Sequence, residues 1–556
     1  MVKKRLLLFL PALAAALIYL PAINYQFVWD DINLIVHNRE TPLSAFSQSF
    51  WHGTNEHLGT DPYYRPLTNF SLRLERLIYK HQPRGFHLTN ILLHCIVCLL
   101  FTLLLFEVTG SRTGSVLAGM VFSLHPMAAD CVAYISGRTD LIAGLGTVTA
   151  FLGLFLYRQR RHWIYLTLTI LGYTAGSYAK ESAALLLPVL ILWLFLSPDY
   201  RQRHKVRLLL ITALLSIFST WLLLRLLILK TLLPMKPPAA ILPLLNSSLS
   251  SFGQQIVLLF IPFTRRTFIS PAGPAGLNIW TVIGIGYLLL LLSGFPLMRN
   301  RPLVLTGWFW SVVLLLPVAI LLPFGPLGRL LYLPAMGILL ALSALIYSPT
   351  KKPAGPDAPR LSPTLDRKIA FVTGVGWCVL ALPFLRQRLQ VWQNEETLFS
   401  RMVAEAPNYA PGHYNLGILL ISRGDYHQAR LHLYRAIELD STMTVARFNL
   451  AALLQKTGDY PAAETLLQRV IREQPNFAPA YANLALLTLN RGDRKGAIEL
   501  QRRACTLAPN DASLYYNLAL LFRRLGEPES ARQAIIQALK LEPDQPRFRQ
   551  FLNSLP

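Results

Sequence analysis

The sequence predicts an all-α protein in which a polytopic membrane domain is followed by an α-solenoid. Two observations lead to this prediction. Long apolar runs recur from Leu6 to Leu385, and 53% of the 556 residues are hydrophobic whereas 15% are charged, a pattern that soluble cores do not need. After Trp392 the same residue types return at intervals of 34, which is typical of helical repeats. We therefore expect about eleven transmembrane helices and then four repeats.

The eleven expected crossings are apolar runs of spanning or nearly spanning length. They are residues 6–20, 88–106, 113–135, 141–157, 163–178, 183–195, 206–227, 279–297, 303–322, 330–346 and 369–385. The further run 252–263 is short, so we expect it to lie in the interface or to dip into the bilayer and return. The first run follows a basic start, as a signal peptide would, but lacks a clear cleavage site, so we expect it to be retained.

The formal net charge of +24 is concentrated in clusters between the apolar runs. These clusters are residues 3–5, 158–161, 201–207, 299–301 and 351–368. With the N-terminus inside, eleven crossings put every cluster on the inner side, as the positive-inside rule requires. The charge is thereby accounted for without a nucleic-acid partner. The same threading puts the repeats on the outer side, in the periplasm of a bacterial inner membrane or, alternatively, in the lumen of the endoplasmic reticulum.

The expected domain organisation has three parts. Residues 1–386 form the membrane domain with a first outer loop at 22–87, residues 387–409 a connecting helix, and residues 410–556 the repeats. Glycines and asparagines mark the four repeats, since Gly424, Gly458, Gly492 and Gly526 are spaced by 34, as are Asn415, Asn449, Asn483 and Asn517. This spacing is that of tetratricopeptide repeats, which hold proteins in a concave groove. We expect the four asparagines to bind a peptide or protein acceptor, although a purely structural role stays open.

Charged and polar side chains converge on the outer face of the threaded chain. They are Asp30, Asp31, Arg65, His87, His125, Arg138, Asp140, Lys180, Glu181 and Arg329. Each could singly be a solvated helix end or a local ion pair, but charges at a membrane are costly and their convergence favours an active site. The adjacent carboxylates Asp30 and Asp31 suit proton abstraction from a hydroxyl, and the cations suit a leaving phosphate. No compact ligand motif supports a metal site, so we expect no metal and no cofactor; a divalent cation lacks support.

The motifs resemble those of the transmembrane and tetratricopeptide-repeat protein O-mannosyltransferases, which have the C-type glycosyltransferase fold. The resemblance covers nearly the whole chain. Its motifs are residues 27–31 (FVWDD), 64–68 (YRPLT), 86–90 (FHLTN), 124–126 (LHP), 137–140 (GRTD), 179–181 (AKE) and 328–334 (GRLLYLP). Two features depart from the family: the repeat array is short, and region 238–279 matches no motif.

The resemblance implies transfer of mannose from a polyprenyl-phosphate carrier to Ser or Thr hydroxyls of proteins, with inversion. Asp30 would be the base and Asp31 its support. The donor phosphate and sugar would be bound by Arg65, His87, His125, Arg138, Asp140, Lys180, Glu181 and Arg329. Two other functions remain open: a lipid-linked oligosaccharide ligase or polymerase, and a non-catalytic membrane anchor that displays the repeats as a docking platform.

Overall fold

The computed structural model describes residues 6–36, 63–229, 241–263, 267–269, 278–298, 301–321, 325–326, 328–347 and 363–556. The chain forms two compact units, Met1–Ala406 and Pro407–Pro556. The described residues are almost entirely helical, which confirms the predicted fold class. Two strands of two residues each, β1 (Phe268–Ile269) and β2 (Gly325–Pro326), pair antiparallel.

The first unit contains seventeen described α-helices. They are α1 Leu10–Tyr19, α2 Pro66–Tyr79, α3 Pro83–Thr109, α4 Arg112–Ser123, α5 Ala128–Val132, α6 Arg138–Arg160, α7 Ile164–Ala179, α8 Glu181–Ala184, α9 Leu187–Leu196, α10 Pro198–Arg201, α11 His204–Leu229, α12 Ile241–Phe260, α13 Ile279–Met298, α14 Pro302–Leu321, α15 Tyr332–Tyr347, α16 Pro363–Val391 and α17 Glu395–Glu405. Short 3-10 turns flank α1, so that one helical stretch runs from Leu6 to Asn24.

Six helical stretches in the described residues are long and apolar enough to cross a bilayer, so this unit is a membrane domain. They are Leu6–Asn24, Pro83–Thr109, Ile135–Arg160, His204–Leu229, Gly328–Tyr347 and Arg367–Val391. Three shorter apolar helices lie at Glu181–Leu196, Ile279–Leu289 and Pro302–Pro317. The count of eleven crossings stays a prediction. Residues 252–260 of the run 252–263 form the second half of α12, and residues 261–263 follow it; α12 has 20 residues and is therefore longer than the apolar run alone suggests.

The third predicted crossing, 113–135, is not one continuous helix. Helix α4 ends at Ser123, and the chain then passes through the short helix α5 and a 3-10 turn before α6 begins at Arg138. Every residue from 122 to 141 is buried. Irregular backbone is tolerated at membrane depth only where protein surrounds it, because lipid offers no hydrogen bonds. We call residues 122–141 the buried segment; it lies at the centre of the membrane unit.

Glycines allow the helices around the buried segment to approach closely. A Cβ atom at Gly153 would lie 2.6 Å from the backbone oxygen of Tyr165, and one at Gly172 would lie 2.7 Å from the backbone of Gly146 and Ala150. Helices α6 and α7 therefore pack backbone against backbone, as membrane helices with small residues do.

The last membrane helix is fixed to the buried segment by an ion pair. Nε and Nη2 of Arg388 in α16 donate to the two carboxylate oxygens of Asp130 at 2.8 and 2.7 Å. The indole Nε1 of Trp392 donates to the same carboxylate at 3.0 Å. All three side chains are buried. Such a bidentate pair fixes both distance and orientation between the elements that carry it.

The second unit, all of which the structure describes, consists of four helix pairs and a final helix. They are α18 Ala410–Arg423, α19 Tyr426–Leu439, α20 Thr444–Thr457, α21 Tyr460–Glu473, α22 Ala478–Asn490, α23 Arg494–Leu507, α24 Ala512–Arg524, α25 Pro528–Leu541 and α26 Pro546–Asn553. The four predicted turn glycines have φ angles from 77° to 95°, a conformation that glycine adopts without strain. Asp425, Asp459 and Asp493 each cap the following helix. Phe548 and Phe551 of α26 cover the end of the core.

We predict that Gly328→Ala destabilises the membrane unit by about 1–3 kcal/mol, since a Cβ atom there would overlap Oδ2 of Asp130 and Nη2 of Arg388. Neither side chain can move away without breaking the buried ion pair. The matched control is Gly286→Ala in α13, where a Cβ atom would meet no described atom within 4 Å. Thermal unfolding of the purified variants measures the difference. Equal midpoints for the two variants would contradict this account of Gly328.

Candidate active site

The two adjacent carboxylates lie just after the first membrane helix, where the backbone turns sharply. Trp29 has a φ of 55°, in the left-handed region, and the chain enters a short helical stretch at Asp30. This turn sends the two acidic side chains into different surroundings. Asp31 is fully buried, whereas Asp30 is only half-buried.

Asp31 holds the turn against the buried segment. Its Oδ1 accepts from the backbone N–H of Ser136 at 2.9 Å and from the Ser136 hydroxyl at 2.5 Å, and its Oδ2 accepts from the N–H of Val28 at 3.3 Å. Burial raises the pKa of the Asp31 carboxyl to about 7; the hydrogen bonds from Ser136 and Val28 oppose this rise, and the charge of Asp30 adds a smaller one. Burial is thus the main influence on this carboxyl, and the neighbouring charge is a minor one.

Asp30 is held by a single tyrosine. The hydroxyl of Tyr134, in the buried segment, donates to Oδ2 of Asp30 at 2.6 Å. The other carboxylate oxygen of Asp30 accepts no hydrogen bond from any residue that the structure describes. Asp30 is therefore oriented and still has one oxygen available.

Two ion-pair groups lie at the ends of α6 and α7 near the acidic pair. Lys180 is paired with Asp140, and both side chains are buried. Glu181 accepts from Nη2 of Arg65 at 2.9 Å and from Nη1 of Arg225 at 3.2 Å. These pairs tie α6, α7 and α11 together around the site.

Arg329 differs from these cations because it has no carboxylate partner among the described residues. Its guanidinium lies over the ring of Tyr134, 5.8 Å from the ring centre, and its charge interacts with Asp140 and Asp30. It forms no ion pair or hydrogen bond with any of the residues described. The positive charges of Arg65 and Arg329 both act on Lys180, so three cations converge here. A cluster of this kind is suited to bind an anion.

Arg138 is buried behind the site and bonded entirely to its own chain. Its Nε donates to Oδ1 of Asn90 at 2.8 Å, Nη2 donates to the backbone oxygen of Phe86 at 3.0 Å, and Nη1 lies 2.7 Å from Oε2 of Glu75. The Asn90 amide in turn donates to the backbone oxygens of Val132, Tyr134 and Ile135. Arg138 therefore joins α2, α3 and α6 and supports the buried segment.

The two predicted histidines are also buried. The ring of His87 packs edge-on against Tyr25, with the ring centres 6.2 Å apart, and so supports the chain just before the acidic pair. His125 accepts from the N–H of Met127 at 3.2 Å and lies 3.1 Å from the backbone oxygen of Leu259. It borders an apolar cavity of about 270 Å³ between α4, α15 and α16. The structure thus places His125 beside this cavity, apart from the charged cluster.

The four repeat asparagines lie on the first helix of each pair, at α18, α20, α22 and α24. Asn415, Asn449 and Asn483 are half-buried, and Asn517 is exposed. The Asn449 amide donates to the hydroxyl of Tyr414 at 3.1 Å and to the backbone oxygen of Val445 at 2.9 Å. Both amide hydrogens of Asn449 are thus engaged within the repeats, and only its oxygen is left for an acceptor.

Comparison with known proteins gives matches to both parts of the chain. One tetratricopeptide-repeat family model matches residues 420–487, and another matches 478–511 and 512–545. Protein O-mannosyl-transferase Tmtc1 of Drosophila melanogaster is 33% identical over 34% of this chain and 22% of that protein. A protein O-mannosyl-transferase of Caenorhabditis elegans is 25% identical over 76% of this chain and 61% of that protein. The MamA fragment 41-end from Desulfovibrio magneticus RS-1 covers 27% of this chain and 86% of its own, with 24% identity and a TM-score of 0.25.

These matches confirm the resemblance of this chain to the transmembrane and tetratricopeptide-repeat protein O-mannosyltransferases. The chain spans about a fifth of the length of the Drosophila relative and about three fifths of the nematode one. In this chain, the structure brings together seven of the ten residues predicted for the membrane site. They are Asp30, Asp31, Arg65, Asp140, Lys180, Glu181 and Arg329.

Several residues that shape this site escaped the sequence reasoning. Tyr134 and Ser136 hold the two carboxylates, and Glu75 and Arg388 hold the buried segment. Glu75 and Arg388 had a usable signal, since a charge on a helix of a membrane protein usually has a partner. Tyr134 and Ser136 lie in an apolar stretch where neither residue type is unusual. Among the described residues no three His, Cys, Asp or Glu side chains cluster as metal ligands do.

We predict that Arg138→Met lowers the free energy of unfolding by about 3–5 kcal/mol, because it leaves the Glu75 carboxylate and the Asn90 oxygen buried without their partner. Arg158→Met, at the other end of the same helix, is the matched control. Arg158 is 40% exposed and pairs with Asp199, so its loss should cost about 0–1 kcal/mol. Thermal unfolding measures both, and similar losses would contradict the supporting role of Arg138.

Proposed function

We propose that this protein transfers a sugar, mannose by the names of its relatives, from a polyprenyl-phosphate carrier to Ser or Thr hydroxyls of proteins. The observation that carries the proposal is that two groups lie near each other: Asp30, an oriented and half-buried carboxylate, and Arg329, a cation with no carboxylate partner in the described part of the chain. A transferase of this class needs both, a base for the acceptor and a cation for the leaving phosphate. A docking platform needs neither.

The reaction is a single displacement at the anomeric carbon. Asp30 accepts the proton of the acceptor hydroxyl, the hydroxyl oxygen forms a bond to the anomeric carbon, and the bond from that carbon to the phosphate oxygen breaks. The phosphate leaves with the lipid and carries the electron pair of the broken bond. Attack opposite the leaving group inverts the configuration of the sugar, as in other single displacements assisted by a base.

Asp30 suits the role of base better than Asp31, although a pKa of about 7 would favour Asp31 by titration alone. Asp31 is fully buried and its oxygens are occupied by Ser136 and Val28. A base must reach the proton it abstracts, so geometry outweighs pKa here. Asp31 acts by holding the turn that presents Asp30.

The leaving phosphate lies against Arg329, with Lys180 and Arg65 adding positive charge from their ion pairs. A guanidinium without a carboxylate partner can bind two phosphate oxygens without first breaking another contact. His87, His125 and Arg138 serve by supporting the site rather than by touching the donor, since each is bonded to its own chain. No metal or other cofactor takes part in this proposal.

The lipid of the donor and the protein acceptor reach the site by different routes in this proposal. The lipid of the donor reaches the site from the bilayer, and the repeats hold the protein acceptor on the same side of the membrane. That side is the outer one, periplasm or organelle lumen. The two curated relatives above are animal proteins, so the bacterial inner membrane expected from the sequence gains no support from them.

We predict that Asp30→Asn inserts and folds normally but loses transfer by about 100-fold to 10,000-fold, the usual contribution of a general base. The substitution keeps the shape and the acceptor oxygen for Tyr134 but removes the basicity. Transfer to an acceptor peptide, followed by mass spectrometry, measures the loss. Asp199→Asn is the matched control, because Asp199 pairs with arginines at the far end of α6 and should leave transfer unchanged.

Asp31→Asn should reduce transfer less than Asp30→Asn and also lower stability, because its oxygens anchor Ser136. If Asp30→Asn kept near-normal transfer while Asp31→Asn abolished it, the two roles would be exchanged. If both variants kept normal transfer, the assignment as an enzyme would fall.

A topology experiment tests the side of the site. Alkaline phosphatase, which is active only outside the cytosol, should be active when fused after Pro556 and inactive when fused after Arg161. Arg161 follows α6 at the end opposite Asp140, one crossing away from the site. The reverse pattern would place the site and its substrates on the inner side.

A further inference from the structure

We propose that Tyr134 is a positioning residue that orients the Asp30 carboxylate for proton abstraction. The inference rests on the proposed function, because it assigns a role within the same site. It concerns a residue that no motif of the sequence singles out. This role is supported by the hydrogen bond from Tyr134 to Asp30, by the rings that hold Tyr134, and by the ion pair between Arg388 and Asp130.

The hydroxyl of Tyr134 donates to Asp30, and the surroundings of the ring leave it little freedom to reach another acceptor. Its ring is fully buried and stacked on two indoles: the ring centre of Trp392 lies 4.8 Å away with 21° between the planes, and that of Trp29 lies 6.0 Å away with 26°. A buried ring that stacks on two indoles has little room to rotate. The donated bond to Oδ2 of Asp30, 2.6 Å long, is therefore fixed in direction.

The stack is anchored by the last membrane helix. The Nε1 of Trp392 donates to Asp130, which is itself bonded to Arg388 of α16. The next residue, Gln393, accepts at its backbone oxygen from the N–H of Gln26 at 3.0 Å. Both ends of the contact, the chain that carries Asp30 and the rings that hold Tyr134, are thus attached to the end of α16.

The hydrogen bond has a chemical consequence. The bond occupies Oδ2 of Asp30 and leaves Oδ1 as the oxygen for an acceptor hydroxyl. Among the described residues, the charged and titratable groups that face Asp30 are Tyr134, Asp31 and Arg329, and Glu395 at the start of α17 bonds to the backbone of Trp29. Among these, Tyr134 alone donates a hydrogen bond to the Asp30 carboxylate in the described structure.

The test is the kinetics of transfer by Tyr134→Phe in the full-length protein. Without its donor the Asp30 carboxylate is no longer held in one orientation, so kcat should fall about tenfold while the KM for the acceptor peptide stays within about twofold of the wild-type value. Tyr200→Phe is the matched control. Tyr200 is equally buried, stacks on Tyr157 and donates one bond of 2.8 Å to the backbone oxygen of Leu154, remote from the site. Its kcat and KM should match those of the wild type.

A double mutant separates positioning from packing. If Tyr134 acts through Asp30, the double variant Tyr134→Phe, Asp30→Asn should transfer less than about twofold more slowly than Asp30→Asn alone. The reason is that Asp30→Asn leaves no base to position. A full additional tenfold loss, or a tenfold rise in KM with an unchanged kcat in the single variant Tyr134→Phe, would overturn the inference. A wild-type protein without any transfer would instead count against the proposed function.

Replacing Tyr134 with 3-fluorotyrosine provides a second test that does not depend on tolerance of phenylalanine. This residue keeps both the ring and the hydroxyl donor, so kcat should stay within about twofold of the wild-type value. A loss as large as that of Tyr134→Phe would contradict the inference.

Discussion

The structure depends on one constraint, that broken backbone inside a bilayer must find all its hydrogen bonds within the protein. Residues 122–141 leave helical geometry twice, at Leu124 and around Tyr134, and every one of them is buried. Asn90 supplies three of the missing bonds, and Arg138 holds Asn90 in place. The result is a rigid stretch of non-helical chain. The hydroxyls of Tyr134 and Ser136 in this stretch donate hydrogen bonds to Asp30 and Asp31.

The pairing of charged side chains near the site follows from the same lack of solvent inside the protein. A buried charge is costly unless it is paired, and most buried cations near the site have a carboxylate partner, as Arg138, Lys180 and Arg388 do. Arg329 is the exception among the described cations of the cluster, and Asp30 is the carboxylate with an oxygen to spare. The other charged groups of the site already have partners within the chain. Arg329 and Asp30 are therefore the two groups that could interact with a substrate.

The sequence allowed much of this to be predicted, for reasons that are physical. The 34-residue spacing predicted the repeats because every repeat uses the same glycine turn, and the apolar runs coincide with the six long apolar stretches of the described residues. The predicted convergence of charge on one face, which follows from an odd number of crossings, pointed to Asp30, Lys180 and Arg329. The sequence could not show which charged side chains pair with each other. Arg138 and Arg329 are predicted on the same face, but only the structure shows that Arg138 is bonded to Glu75 and Asn90, whereas Arg329 has no such partner among the described residues.

The activity proposed for this membrane unit is the transfer of a sugar from a lipid phosphate, with inversion of its configuration. The most direct measurement incubates the purified full-length protein, in lipid, with synthetic polyprenyl-phosphate mannose of known anomeric configuration and a Ser- and Thr-containing peptide. The account predicts mannosyl peptide with the configuration opposite to that of the donor and stoichiometric release of polyprenyl phosphate. Retained configuration would contradict a single displacement with Asp30 as base, and release of free mannose or no product from this donor would contradict the assignment of donor and acceptor.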